Sequence, residues 1–157
     1  MEILIVHPKT LKLIPLEEWK KSENPTSAKL IVIKTEGKEL CVSKNGLLDE
    51  YRFDNAQKAA ESFALENFPK LKFRNPTRKE CIDIYDARFA GLDEAIELLD
   101  GDDISKYWFW TSESDTDPKY NSEFAFWFNG DGGTMNYNPK YGSCTVRPVA
   151  TFNKMED

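Results

Sequence analysis

Histidine occurs once in this 157-residue chain and cysteine three times. Cys41, Cys81 and Cys144 are far apart, odd in number and form no C-x-x-C pair. That pattern excludes a disulfide framework and leaves a zinc site short of ligands, so three reduced, buried thiols are expected. Long apolar runs are missing too, and none approaches the ~20 residues a membrane-spanning helix needs. The opening MEILIVHPKTLKL lacks a basic n-region, and its apolar run stops at His7-Pro8. No secretory leader is therefore expected. His7, without a second histidine or an evident Cys or Ser partner, reads as a strand-end surface residue rather than a catalytic base.

Positive charge is also scarce. Lys and Arg number 21 against 27 Asp and Glu, giving a net charge of −6. Between Arg78 and Asp103 nine acids stand against three bases, which accounts for that whole excess. Such a stretch repels phosphate backbones and excludes a nucleic-acid role; it reads as a solvated helical face. What the chain does have is aromatic: 13% Phe, Trp and Tyr within 40% hydrophobic residues. At this length a single domain can bury roughly 70% of its unfolded surface.

Along the chain, strand-like runs at 2–6, 11–15, 28–34 and 38–43 come first, the last two as a hairpin across TEGK. Two helices follow. The first is expected from an Asp54 N-cap to about Phe68, stopped by Pro69. The second opens with Thr77 and Glu80 at capping-box spacing. Its inward stripe is Cys81, Ile84, Tyr85 and Phe89, continuing beyond Gly91 through Leu92, Ala95, Ile96 and Leu99. After residue 105 helical periodicity gives way to strand-like runs at 106–111, 123–129, 133–137 and 143–152. The order implies an α+β layout, two helices on a mainly antiparallel sheet.

YWFWTSESD, residues 107–115, sets four aromatics directly against five polar residues. In a strand, alternate side chains face opposite ways, so Tyr107 and Phe109 share one face and Trp108 and Trp110 the other. Both faces then need cover, and the strand belongs in the interior. The polar half marks its exit. A second aromatic strand, EFAFWFNGDGG, carries Trp127. A third, SCTVRPVATF, has Arg147 as its only charge, which is expected to pair with Glu113.

FRNPTRKE, YWFWTSES, an aromatic strand followed by NGDGG, and TVRPV occur in the order seen in Lcl C-terminal-type domains, and residues 53–152 resemble that family. Phe73 stands where the family usually has Trp, and Asn75 where it has Leu. The resemblance implies a C-type-lectin-like fold, placed over residues 51–157; residues 1–50 are expected as a β-rich N-terminal extension packed on it as one compact unit. It also implies a loop-bearing binding face and no particular reaction. Related folds in phage and bacterial proteins display ligand-binding loops, so analogy suggests a surface or virion recognition module; with no leader visible, a cytoplasmic or virion-associated setting is expected.

Two loops, 113–122 and 129–142, hold Tyr120, Asn121, Asn129, Asp131, Asn136, Tyr137, Asn138 and Tyr141. Tyrosine gives rigid contact area and Asn adaptable hydrogen bonds, the composition of recognition surfaces, although Asn and Gly are also ordinary turn residues. Asp115, Asp117, Asn121 and Glu123 supply oxygens for calcium, but E-P-N, Q-P-D and W-N-D are absent and the spacing is not that of an EF-hand. No metal or cofactor is therefore expected. Formylglycine-generating relatives of the fold need a cysteine pair near the C-terminus, where Cys144 stands alone. The expected function is non-catalytic binding of a protein or glycan. The alternative is an assembly protein whose aromatic strands serve only core and oligomer interface.

Overall fold

The computed structural model describes residues 1–114 and 123–152. It is a mixed α+β structure with two five-stranded sheets. The first has the order β10-β4-β3-β1-β2, built from β1 (Glu2–Val6), β2 (Leu13–Pro15), β3 (Leu30–Thr35), β4 (Lys38–Ser43) and β10 (Val149–Thr151). All its pairings are antiparallel. The sequence boundary expected near residue 50 is thus spanned by the β4–β10 backbone ladder. The second sheet runs β5-β9-β6-β7-β8, from β5 (Leu47–Tyr51), β6 (Trp108–Ser114), β7 (Phe124–Asn129), β8 (Met135–Pro139) and β9 (Cys144–Val146). Its pairings are antiparallel except the short β6–β9 contact.

The run expected as one strand over 143–152 divides at Arg147-Pro148. β9 ends in the second sheet and β10 begins in the first. Proline has no N–H to continue a ladder, so the chain changes sheets where it would otherwise lose a hydrogen bond.

Helix α1 (Leu16–Trp19) is one turn. Helix α2 spans Phe53–Ser62, with Arg52 rather than Asp54 at its N-cap, and it ends well before Pro69. Its buried residues are Phe53, Ala56 and Ala60. Helix α3 (Arg78–Ala87) begins with the expected capping box, Glu80 N–H donating to Thr77 Oγ1 and Thr77 N–H to Glu80 Oε1. A π-helical turn at Arg88–Leu92, with Gly91 at φ 125°, leads into α4 (Asp93–Leu98). Leu92, Ala95, Ile96 and Leu99 are buried as expected. Phe89 is not, and projects into solvent. Arg88 takes the inward position instead. Its Nε donates to both Asp93 oxygens at 3.1 Å, and its Nη1 to the Gly130 carbonyl at 2.5 Å.

The core falls into three clusters. The central one joins Ile3, Ile5, Ile31, Ile33 and Val42 of the first sheet with Cys81, Ile84, Leu92 and Ile96 of the helices and Phe109 and Phe128 of the second sheet. Another covers the far face of the first sheet with Phe68, Leu71 and Phe73. The third packs α2 on the far face of the second sheet, around Trp110. Phe109 and Trp110 therefore enter different clusters, as a strand covered on both sides requires. Each fully buried large side chain contributes roughly 1.5–3 kcal/mol of hydrophobic stabilisation before entropy costs.

Candidate functional site

The α2 side of the second sheet is the strongest candidate surface, because α2 contacts β5, β9 and β6 and leaves β7 and β8 beyond it. The register fixes what this uncovered part displays. Trp127 lies opposite Trp110 on β6 and Asn136 on β8, while Ala125 lies opposite Asn138. Trp108, Trp110, Ala125 and Trp127 all belong to the α2-side cluster. Trp110 is fully buried, with its indole N–H donated to the Tyr51 carbonyl at 2.7 Å and its ring edge-on to Phe53 at 5.4 Å. Trp108 and Trp127 are half-buried, their rings 4.9 Å apart and tilted by 45°. The Trp127 indole N–H has no acceptor among the described residues.

Asn136 and Asn138 follow at alternate positions on β8 and so share this face, and Lys140 comes next in the same alternation. Lys140 closes the row over α2, its ammonium 5.4 Å from the Phe53 ring and its carbonyl accepting the Phe53 N–H at 3.1 Å. The result is a shelf of two indoles edged by two amides and an amine. An amide both donates and accepts, so such a row hydrogen-bonds hydroxyls and peptides alike, while the indole faces offer apolar contact.

The residues singled out in the sequence do not form one loop cluster. Asn136, Tyr137 and Asn138 lie within strand β8, not in a loop, and the pleat divides them. Tyr137, 58% exposed, lies opposite Phe126 on β7 and stacks on it at 4.8 Å, on the face away from the tryptophan shelf. Tyr141, 74% exposed, sits in the turn after β8. Asn129 and Asp131 build the β7–β8 turn: the Asn129 side chain accepts the Asp131 N–H at 3.0 Å, and the Asp131 carbonyl accepts from Arg88 at 3.1 Å. Tyr120, Asn121, Asp115 and Asp117 lie outside the described residues, and Glu123 is exposed. Among the described residues no three His, Cys, Asp or Glu side chains are placed to hold a metal ion. None of the described helices is long and apolar enough to cross a membrane.

The Arg147–Glu113 pair does not form. Arg147 is buried as expected, but it donates to three backbone carbonyls: Ser43 at 3.1 Å, Lys44 at 2.9 Å and Asp102 at 2.5 Å. Burial pushes its guanidinium down to about 10, partly offset by Asp102, Tyr107 and Asp103. Glu113 instead holds the start of α3, accepting the Arg78 N–H at 2.6 Å and pairing with the Arg78 side chain at 3.4 Å. A carboxylate at a helix N-terminus satisfies an orphan N–H and meets the positive end of the dipole. Glu80, chosen in the sequence only as a cap, is also the buried centre of an ion-pair group with Arg74 and Lys38. His7 is used locally, its Nδ1 accepting the Lys9 and Thr10 N–H groups at 3.1 Å. No family model matches this chain, and no curated protein matches it significantly.

Proposed function

We propose that the protein is a non-catalytic recognition module that takes a glycan, as its ligand, on the Trp108–Trp127 shelf. The observation that carries this reading is the half-exposed indole pair, 4.9 Å apart, with Asn136 directly opposite Trp127 in the strand register. A pyranose ring has an apolar face that lies on an indole and a rim of hydroxyls that amides can bond. Asn136 and Asn138 stand where that rim would fall. A C-type-lectin-like fold of the Lcl C-terminal type is the architecture we propose for residues 51–157. The acidic α3–α4 stretch disfavours nucleic acid as the ligand.

The test is a glycan array probed with the intact chain and with an Asn136→Ala/Asn138→Ala variant. The reading expects captured glycans that are lost in the variant while the melting temperature holds. Capture that survives the double substitution, or an array without hits, overturns it. A second reading, assembly, is favoured by one observation: Ile82 on α3 and Phe89 just beyond it are exposed, on the other side of the sheet.

A further inference from the structure

The outer face of α3 combines exposed apolar groups with an ordered charge pattern. Positions 79, 82 and 86 fall on one stripe of a helix with 3.6 residues per turn. Ile82, at the middle of that stripe, is 49% exposed, and Phe89, just past the helix end, is 69% exposed. Tyr85, between them in the sequence and half-buried, stacks edge-on against Phe89 at 5.2 Å. Beside this face, on the sheet, the Arg78 guanidinium caps the buried Phe126 ring at 4.1 Å, and the exposed Tyr137 stacks on the same ring. Isolated exposed apolar residues are ordinary, but two on one side of a helix flanked by an ordered charge pattern suit a contact surface.

The charges on this face are graded. Arg78 and Lys79 open the helix, and Asp83 and Asp86 follow the apolar centre. Lys79 precedes Ile82 by three residues and Asp86 follows it by four. At 1.5 Å per residue they stand ~4.5 Å and ~6 Å from it along the axis. A two-fold axis beside Ile82 therefore sets each Lys79 against Asp86 of the other copy and Ile82 against Ile82. A self-complementary surface is what a two-fold homodimer needs, since one patch meets itself reversed. Asp86 makes no ion pair among the described residues, whereas Lys79 reaches Asp83 at 2.7 Å. The ammonium can bridge both carboxylates.

We infer that the outer face of α3 docks a second copy of this chain, by antiparallel α3–α3 pairing centred on Ile82. This interface lies across the sheet from the tryptophan shelf and leaves that shelf open in both copies. It does not depend on what the shelf binds.

Sedimentation of the full chain over a concentration series tests it. The wild type should pass from one chain of 18.1 kDa to twice that mass as concentration rises. Lys79→Glu places Glu against Asp86, and Asp86→Lys places Lys against Lys79, so each variant alone should remain a single chain. Mixed in equal amounts, the two variants form only attractive contacts and should recover the double mass. Ile82→Asp should remain a single chain alone and in mixtures. Unchanged circular dichroism and melting curves verify that the variants are folded, since all three positions are outside the core. A wild type of single-chain mass throughout, single-charge variants that associate like the wild type, or a mixture that fails to recover association would each overturn the inference.

Discussion

Arg74 holds the Glu80 carboxylate in a two-pronged grip, Nη1 to Oε1 at 2.6 Å and Nη2 to Oε2 at 2.9 Å. Lys38 on β4 adds a third contact at 2.8 Å and the Thr77 N–H a fourth at 2.9 Å. One buried carboxylate thereby ties the start of α3 to the hairpin of the first sheet.

Acid should break this tie. Burial alone would push the Glu80 carboxyl up, but Arg74, Lys38 and the Thr77 N–H together hold it down at about 2, from an ordinary 4.5. A carboxyl depressed in the folded state adds stability that is complete above its unfolded value and is lost as pH falls through the folded one. The contribution at neutral pH is about 3 kcal/mol. Urea melts from about pH 5 to about pH 2 should show this loss, and Glu80→Gln should be destabilised at neutral pH with a flatter acid profile. An acid profile identical in Glu80→Gln would contradict it.

Arg147→Met should cost on the order of 3 kcal/mol, because three inward carbonyls lose their donor. For a chain of this size that lowers the melting temperature by roughly 6–12 °C. Glu113→Gln should cost less, about 1 kcal/mol, through the weakened hold on the Arg78 N–H. The double variant should be additive within about 0.5 kcal/mol, since the two side chains act in different places. A larger coupling would restore the ion pair that these contacts rule out.

Gly133 has φ 73°, and a Cβ there would lie 2.9 Å from three Tyr85 ring atoms. Gly133→Ala should therefore cost about 2 kcal/mol, from strain and clash together. At Gly132 the nearest atom to a Cβ is Asn129 Nδ2 at 3.4 Å, an ordinary contact, so Gly132→Ala serves as the mild control. Equal melting temperatures for the two would refute the tight turn.

All three cysteines are buried and free. Burial pushes the Cys41 and Cys81 thiols well up and the Cys144 thiol up to about 12. The thiolate is the reactive form. A disulfide reagent should accordingly leave the native protein unlabelled near neutral pH and label three thiols in denaturant. Fast labelling of the native chain would contradict the packing around them.

Local signals were the legible ones. Thr77 and Glu80 are three residues apart, so their mutual capping is written in one short word. The alternation of Phe109 and Trp110 likewise announces a strand covered on both faces. The partners of Arg147 were not legible, because backbone carbonyls have no residue type, and Ser43, Lys44 and Asp102 are distant in the chain. Strand β5 carries little strand signal in the sequence because Asp49 and Glu50 make it polar, and its pairing with β9 shifts register. Phe89 looked like core by spacing from Tyr85. Arg88 holds the inward place because its charge is absorbed by Asp93 and two turn carbonyls. At the candidate site, the strand-like run at 133–137 overlaps β8, while the loop expected over 129–142 takes in the same residues. The pleat separates Tyr137 from Asn136 and Asn138, and the tryptophan shelf depends on where α2 packs across the sheet, which no local pattern encodes.

The switch of sheets at Arg147-Pro148 bears on the order in which the molecule can mature. Strand β10 joins β4 across more than a hundred residues, and Arg147 closes the crossing between them. During synthesis β4 must wait with an open border until β10, more than a hundred residues later, has been made. Pairing of β10 then closes that border and ties the first sheet to β9 of the second, so resistance to proteolysis should come only once this strand is in place.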